Sequence, residues 1–122
     1  MFNSNGRINQ IEYAIKAIKD SGPAMAFHYD GGIVIAAQER TGSALYVPPK
    51  NSEKIHKIDS HFYVLSSGLS SDANLLVEYL RRQAQEHKYT FGSHIPIQQI
   101  VETVCDLKQG RTQKGGGRPF GI

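Results

Sequence analysis

The stretch Ala24-Met25-Ala26-Phe27-His28-Tyr29-Asp30-Gly31-Gly32-Ile33-Val34-Ile35-Ala36-Ala37 decides the fold. Two apolar runs flank Asp30-Gly31, and Asp-Gly is a strong two-residue hairpin signal because such a turn needs positive φ. The run after the turn is apolar on both faces, which predicts an interior strand covered on both sides. Upstream, Ile8, Ile11, Ile15 and Ile18 repeat at helical spacing and put one apolar stripe on a helix between Gly6 and Lys19. Asn5 is placed to cap its start, and Ser21-Gly22-Pro23 to stop it.

Downstream, a Gly-, Ser- and Pro-rich loop runs from Glu39 to Asn51. Lys54 to Ile58 and His61 to Ser67 read as two further strands joined through Asp59-Ser60. Leu75, Leu76, Tyr79, Leu80 and Gln83 then give a helical period, with Ser70 or Ser71 as N-cap and Asp72 in the first turn. A second helix starts near Pro96, carries Ile97, Ile100, Val101, Val104 and Lys108 on one face, and ends at Gly110. The tail from Lys114 to Ile122 is a glycine-rich loop. A helix, four strands and two helices, in that order, indicate an α+β layered fold. The two long helices cover one face of the sheet, and the other apolar face is left without a cover.

A chain of 122 residues accommodates one ordinary domain. Its 14 Lys+Arg against 11 Asp+Glu leave a net charge of +3, and the basic residues are scattered, which argues against a nucleic-acid partner. A lone cysteine, Cys105, excludes an internal disulfide and a Cys-based zinc cluster; it reads as a buried or half-buried structural thiol. His28, His56, His61, His87 and His94 never fall in an H-x3-H or HExxH spacing, which argues against a metal site. No apolar run of about 18 residues is present to cross a membrane, and Met1-Phe2-Asn3-Ser4-Asn5 does not open like a signal peptide. Lys114-Gly115-Gly116-Gly117-Arg118 lacks the phosphate-loop spacing and reads as a turn, Arg81-Arg82 with Glu78 and Glu86 as a solvated helix face, and Tyr13, Tyr79 and Phe91 as core. No cofactor is indicated.

Several motifs together resemble one family. Gly6-Arg7-x-x-Gln10-Ile11-Glu12-Tyr13-Ala14 is similar to the signature helix of 20S proteasome α-type subunits. Asp30 to Ala37 with Glu39-Arg40, Ser52-Glu53-Lys54-Ile55, Ser67-Gly68-Leu69-x-x-Asp72-Ala73 and Thr112-Gln113-x-Gly115-Gly116-x-Arg118-Pro119-Phe120-Gly121 follow in family order. Cys105-Asp106-Leu107-Lys108-Gln109 looks most like the type at the third ring position. The resemblance implies half of an αββα sandwich of the N-terminal-nucleophile-hydrolase kind. By that reading, residues 1–122 are a truncated α-type domain lacking the gate tail and the C-terminal half. It also implies a heptameric ring, other proteasome α and β subunits and regulatory activator particles as partners, and a place in cytoplasm and nucleus.

The related β-type subunits use a processed Thr, an Asp and a Lys. Aligned on the hairpin, the Thr position falls on Gly22, the Asp position on Gln38 and the Lys position near Lys54. Glycine carries no nucleophile and Gln38 no charge, so the chain reads as non-catalytic. In the α family the lysine of the Glu-Lys-Ile motif binds the C-terminal carboxylate of an activator tail. The match carries that role to Lys54, with Gly22, Gly68 and Leu69 lining the pocket. By the same resemblance, only Tyr13 remains of the family's gate-stabilising cluster, and Ser4 stands where the family usually has the Pro of the tail's turn. The leading expectation is a non-catalytic structural subunit for ubiquitin-dependent protein degradation. The alternatives are an N-terminal nucleophile hydrolase and a degenerate paralogue that only binds other α subunits.

Overall fold

A computed structural model describes residues 2–39, 43, 45, 47, 54–114 and 120–122. The order is α1 (Asn9–Lys19), β1 (Ala24–Tyr29), β2 (Gly32–Ala37), β3 (Ile55–Asp59), β4 (Phe62–Leu65), β5 (Ser67–Gly68), α2 (Ser70–Phe91), α3 (Ile97–Lys114) and β6 (Phe120–Gly121). The strands pair antiparallel as β1-β2, β3-β4 and β5-β6. This is the mixed helix-and-antiparallel-strand architecture expected, with two short strands more than the sequence pattern revealed.

The Asp30-Gly31 hairpin forms in the expected register, from Ala24 opposite Ala37 to Tyr29 opposite Gly32. Its turn closes without positive φ at Asp30 or Gly31, so the sequence signal was right for a reason the backbone does not use. The expectation of an interior strand needs correction. Phe27 is 67% and Ile33 64% exposed, because α2 lays its apolar stripe on β3 and not on this hairpin.

The core forms where α2 meets β3, β4 and the start of α3. Ile58, Phe62, Ala73, Leu76, Val77, Leu80, Ala84, Ile95 and Ile100 are buried together. Ala73, Leu76, Val77, Leu80 and Ala84 recur at three and four residues, which is the buried face of α2. The expected stripe was therefore rotated: Leu76 and Leu80 face inward, while Leu75 and Tyr79 are exposed. Small Ala73 and Ala84 carry the face the sequence pattern assigned to larger side chains. On α3, Ile100 is buried and Val104 packs at the core's margin, whereas Ile97 and Val101 are exposed beside an apolar cleft. α1 buries Ala14 and packs on β5 and β6.

The helix ends also differ from expectation. Asn5 does not cap α1: Asn3 Oδ1 accepts from the backbone N–H groups of Asn5 and Arg7, each at 2.9 Å, and the helix begins two residues further on. Neither Ser70 nor Ser71 caps α2; Leu69 holds the N-cap position with no side-chain bond. Gly110 does not end α3, which continues to Lys114. Gly92 does end α2, at φ 66°, the left-handed conformation glycine adopts without a Cβ clash.

Three side chains read as core are exposed: Tyr13 at 63%, Tyr79 and Phe91. Cys105 is likewise exposed, not buried, because it lies on the cleft side of α3. Arg81 pairs with Glu78 at 2.6 Å and donates from Nε to Lys57 O at 3.0 Å, so this helix face also ties α2 to β3. Of the expected turn at Lys114–Arg118, Lys114 is instead the last residue of α3, and residues 115–118, most of the 39–51 loop, and Ser52 and Glu53 of the lysine motif lie outside the described residues. Among the described residues no helix is long and apolar enough to cross a membrane.

Candidate functional site

Lys54 leads into β3, and its carbonyl accepts the Ser66 N–H at 2.8 Å, which fixes the strand entry against the segment between β4 and β5. Its side chain crosses to the α1–β1 connection, where Nζ donates to Gly22 O at 2.6 Å. Gly22 is buried there, and the Gln38 N–H donates to Pro23 O at 2.9 Å, so the far end of β2 closes the same corner.

A side chain at position 22 has no room. A Cβ built on Gly22 meets Gln38 O at 2.8 Å, Lys54 Nζ at 2.9 Å and Gln38 Oε1 at 3.3 Å. The structure thus brings together the three positions that the hairpin alignment matched to a Thr, an Asp and a Lys. At position 22 the space a side chain would need is filled by the Lys54 ammonium and a backbone carbonyl.

Beside this corner lies a cleft of about 510 Å³, lined in part by Ile18, Ser21, Gly22, Ser66, Ser67 and Ile122. Ser21 organises its wall. Its Oγ donates to Ile18 O at 2.9 Å and accepts the Gly68 N–H at 3.1 Å. Ser67 Oγ is also hydrogen-bonded to Ser21 Oγ. Because the Ile18 carbonyl only accepts, the single Ser21 proton goes to it and Ser67 is the donor in the hydroxyl pair. One serine therefore joins α1 to β5. Behind it, His56 Nε2 and Ser66 Oγ, both buried, lie 3.1 Å apart.

Of the expected site residues, Lys54 and Gly22 are in direct contact, and Gly68 joins them through Ser21. Leu69, half exposed, follows Gly68 at the start of α2. Tyr13 stands on α1 as an exposed ring. Sequence reasoning missed Ser21 and Ser67, whose roles depend on a contact across 46 residues that no local pattern announces.

A second constellation was also missed: Asp59, His61 and His94 bring donor atoms within 4.8 Å of one another. Asp59 Oδ1 accepts the Ser60 N–H at 2.6 Å and Oδ2 faces His94. These hydrogen bonds hold the Asp59 carboxyl below the usual carboxylate range.

The family model described as "Proteasome subunit" matches residues 18–122. The chain belongs to the proteasome subunit family. It is 42% identical over 122 residues to the probable proteasome subunit alpha type-3 of Schizosaccharomyces pombe, a match covering all of this chain and 49% of that protein. It is 39% identical over 122 residues to proteasome subunit alpha type-4-1 of Oryza sativa subsp. indica, and 38% to proteasome subunit alpha type-4 of Petunia hybrida, with the same coverage of 100% and 49%. The proteasome chain thus spans about half the length of the curated relatives it matches. Those relatives are α-type subunits by name.

Proposed function

We propose that the chain is a non-catalytic structural subunit of the proteasome α ring. It scaffolds the core particle for ubiquitin-dependent protein degradation, in cytoplasm and nucleus, beside other α and β subunits. The likeness of Cys105 to Gln109 to the type at the third ring position supports placing it there. In this reading Lys54, Gly22, Gly68 and Leu69 receive the C-terminal tail of an activator particle, and Tyr13 borders the gate.

The observation that carries the proposal is the Lys54 ammonium lying on Gly22 O at 2.6 Å, in the space a nucleophile's side chain needs. An ammonium is a compact point charge suited to a terminal carboxylate. The Gly22 carbonyl orients it, and the absence of a Cβ at position 22 leaves the space that the ammonium occupies. A charge-assisted bond of about 2.7–2.9 Å to the carboxylate supplies the anchor. The half-exposed Leu69 offers apolar contact to the residues before it. The same crowding disfavours the hydrolase reading, since a Thr at position 22 has to displace the Gln38 backbone.

Calorimetric titration of the chain with a short peptide from an activator's C-terminus, as free acid and as amide, tests this. The acid should bind more tightly than the amide, and Lys54→Ala should remove the difference. Equal affinity for both peptides, or a difference that survives Lys54→Ala, overturns the docking assignment.

A further inference from the structure

The end of β3, the β3–β4 turn and the α2–α3 loop meet at three side chains that share no member with the Lys54 cleft. The β3-β4 register shifts between Lys57 and Asp59, so Asp59 rather than Ile58 sits opposite Phe62. Bulges of this kind re-aim a side chain. Here Ile58 is buried in the core while Asp59 Oδ2 comes within 3.2 Å of His94 Nδ1 and 3.7 Å of His61 Nδ1. Two ligand atoms on one tetrahedral Zn²⁺, with bonds of about 2.0–2.2 Å, stand about 3.3–3.5 Å apart. The two separations lie on either side of that spacing.

The protonation pattern points the same way. His61 Nε2 lies 2.9 Å from Ile95 O, and a carbonyl only accepts, so Nε2 carries the proton. In the neutral ring Nδ1 then turns a lone pair toward the Asp59 carboxylate. Two electron-rich atoms facing each other call for positive charge between them, either a proton shared as an imidazolium–carboxylate pair or a metal ion in its place. An imidazole whose other nitrogen donates to a backbone carbonyl is also the usual outer arrangement of a metal-bound histidine. The Ser60 N–H at Asp59 Oδ1 does the same for the carboxylate, orienting Oδ2 toward the imidazoles.

We propose that Asp59 Oδ2, His61 Nδ1 and His94 Nδ1 form a binding site for a divalent transition-metal ion of the Zn²⁺ class, which clamps the β3–β4 turn to the α2–α3 loop. Two imidazoles and one carboxylate suit Zn²⁺ and its neighbours, whereas Mg²⁺ and Ca²⁺ prefer all-oxygen sites. The Asp59 side chain is only 9% exposed and those of His61 and His94 are 33% and 49% exposed. The site therefore has a closed floor and a mouth to water, which supplies the fourth ligand.

The test is calorimetric titration of the full chain with ZnCl₂, accompanied by Co²⁺ absorption spectra. One Zn²⁺ per chain is expected, together with visible ligand-field bands from Co²⁺ that Zn²⁺ abolishes. His94→Ala, at a half-exposed position, should weaken Zn²⁺ binding at least about 10-fold, the smallest loss usual even for an outer partner of a ligand. His61→Ala should do the same, and His28→Ala on β1 should leave binding unchanged. Far-ultraviolet dichroism without metal checks that each variant is folded. Absence of stoichiometric Zn²⁺ binding, an affinity untouched by His94→Ala, or displacement of Zn²⁺ by millimolar Mg²⁺ overturns the proposal.

Discussion

Replacing Gly22 by alanine adds a single methyl group at the most crowded point of the Lys54 corner. Gly22 does not have positive φ, so alanine fits the backbone conformation. Were backbone freedom the only consideration, the substitution would stabilise the chain by about 0.4–1 kcal/mol through the unfolded state. The packing opposes this. The new Cβ falls 2.8 Å from Gln38 O, a backbone atom that cannot swing aside, and 2.9 Å from Lys54 Nζ. Overpacking of this kind costs about 1–3 kcal/mol. Moving Nζ also weakens a hydrogen bond from a charged donor, worth about 1.5–3 kcal/mol when intact. The packing terms outweigh the backbone gain, and a net loss of about 2 kcal/mol is expected. With an unfolding entropy of about 2.1 cal/mol/K per residue, that lowers the melting temperature of a 122-residue chain by about 8 °C. Urea unfolding followed by circular dichroism, for Gly22→Ala, Lys54→Ala and the double variant, gives the complete cycle. Gly22→Ala should cost about 1 kcal/mol less when Lys54 is already alanine, because residues in contact do not add. A neutral or stabilising Gly22→Ala, or a cost independent of Lys54, refutes the packing described here.

Leu80 has no exposed surface at the centre of α2's inner face, so Leu80→Ala should lose about 2–5 kcal/mol in the same assay. Ser66→Ala removes a 3.1 Å hydrogen bond to buried His56 and should cost about 0.5–1.5 kcal/mol, whereas Ser93→Ala in the α2–α3 loop should cost far less. Cys105 should react with an aromatic disulfide reagent in the native protein, one thiol per chain and without denaturant. Protection until unfolding would contradict its place on the open side of α3.

Much of the local structure was written in the sequence, and the long-range structure much less. Asp30-Gly31 specified the hairpin and its register, because a two-residue turn leaves the flanking strands one pairing. The isoleucine period located α1, but its start depended on Asn3 folding back on Asn5 and Arg7, a competing local bond. The inner face of α2 was misread by about one position, since alanines at 73 and 84 carry no hydrophobic signal comparable to Leu75. Gly110 was taken for a stop although the helix runs through it, the small cost of a mid-helix glycine being outweighed by what flanks it. The Lys54–Gly22 contact joins residues 32 apart and was reached only through a family resemblance. Asp59 and His94 are 35 apart, and no spacing rule covers ligands drawn from a turn and a distant loop.

Membership of an α ring is tested most directly by capture. The tagged chain is expressed together with α-type and β-type proteasome subunits, and the purified material is weighed by native mass spectrometry. A subunit of the ring should be recovered in complexes containing other α-type subunits, in masses that fit whole copies of each. Recovery of the chain alone, with every other proteasome subunit assembled without it, would contradict the proposed role as a scaffold of the core particle.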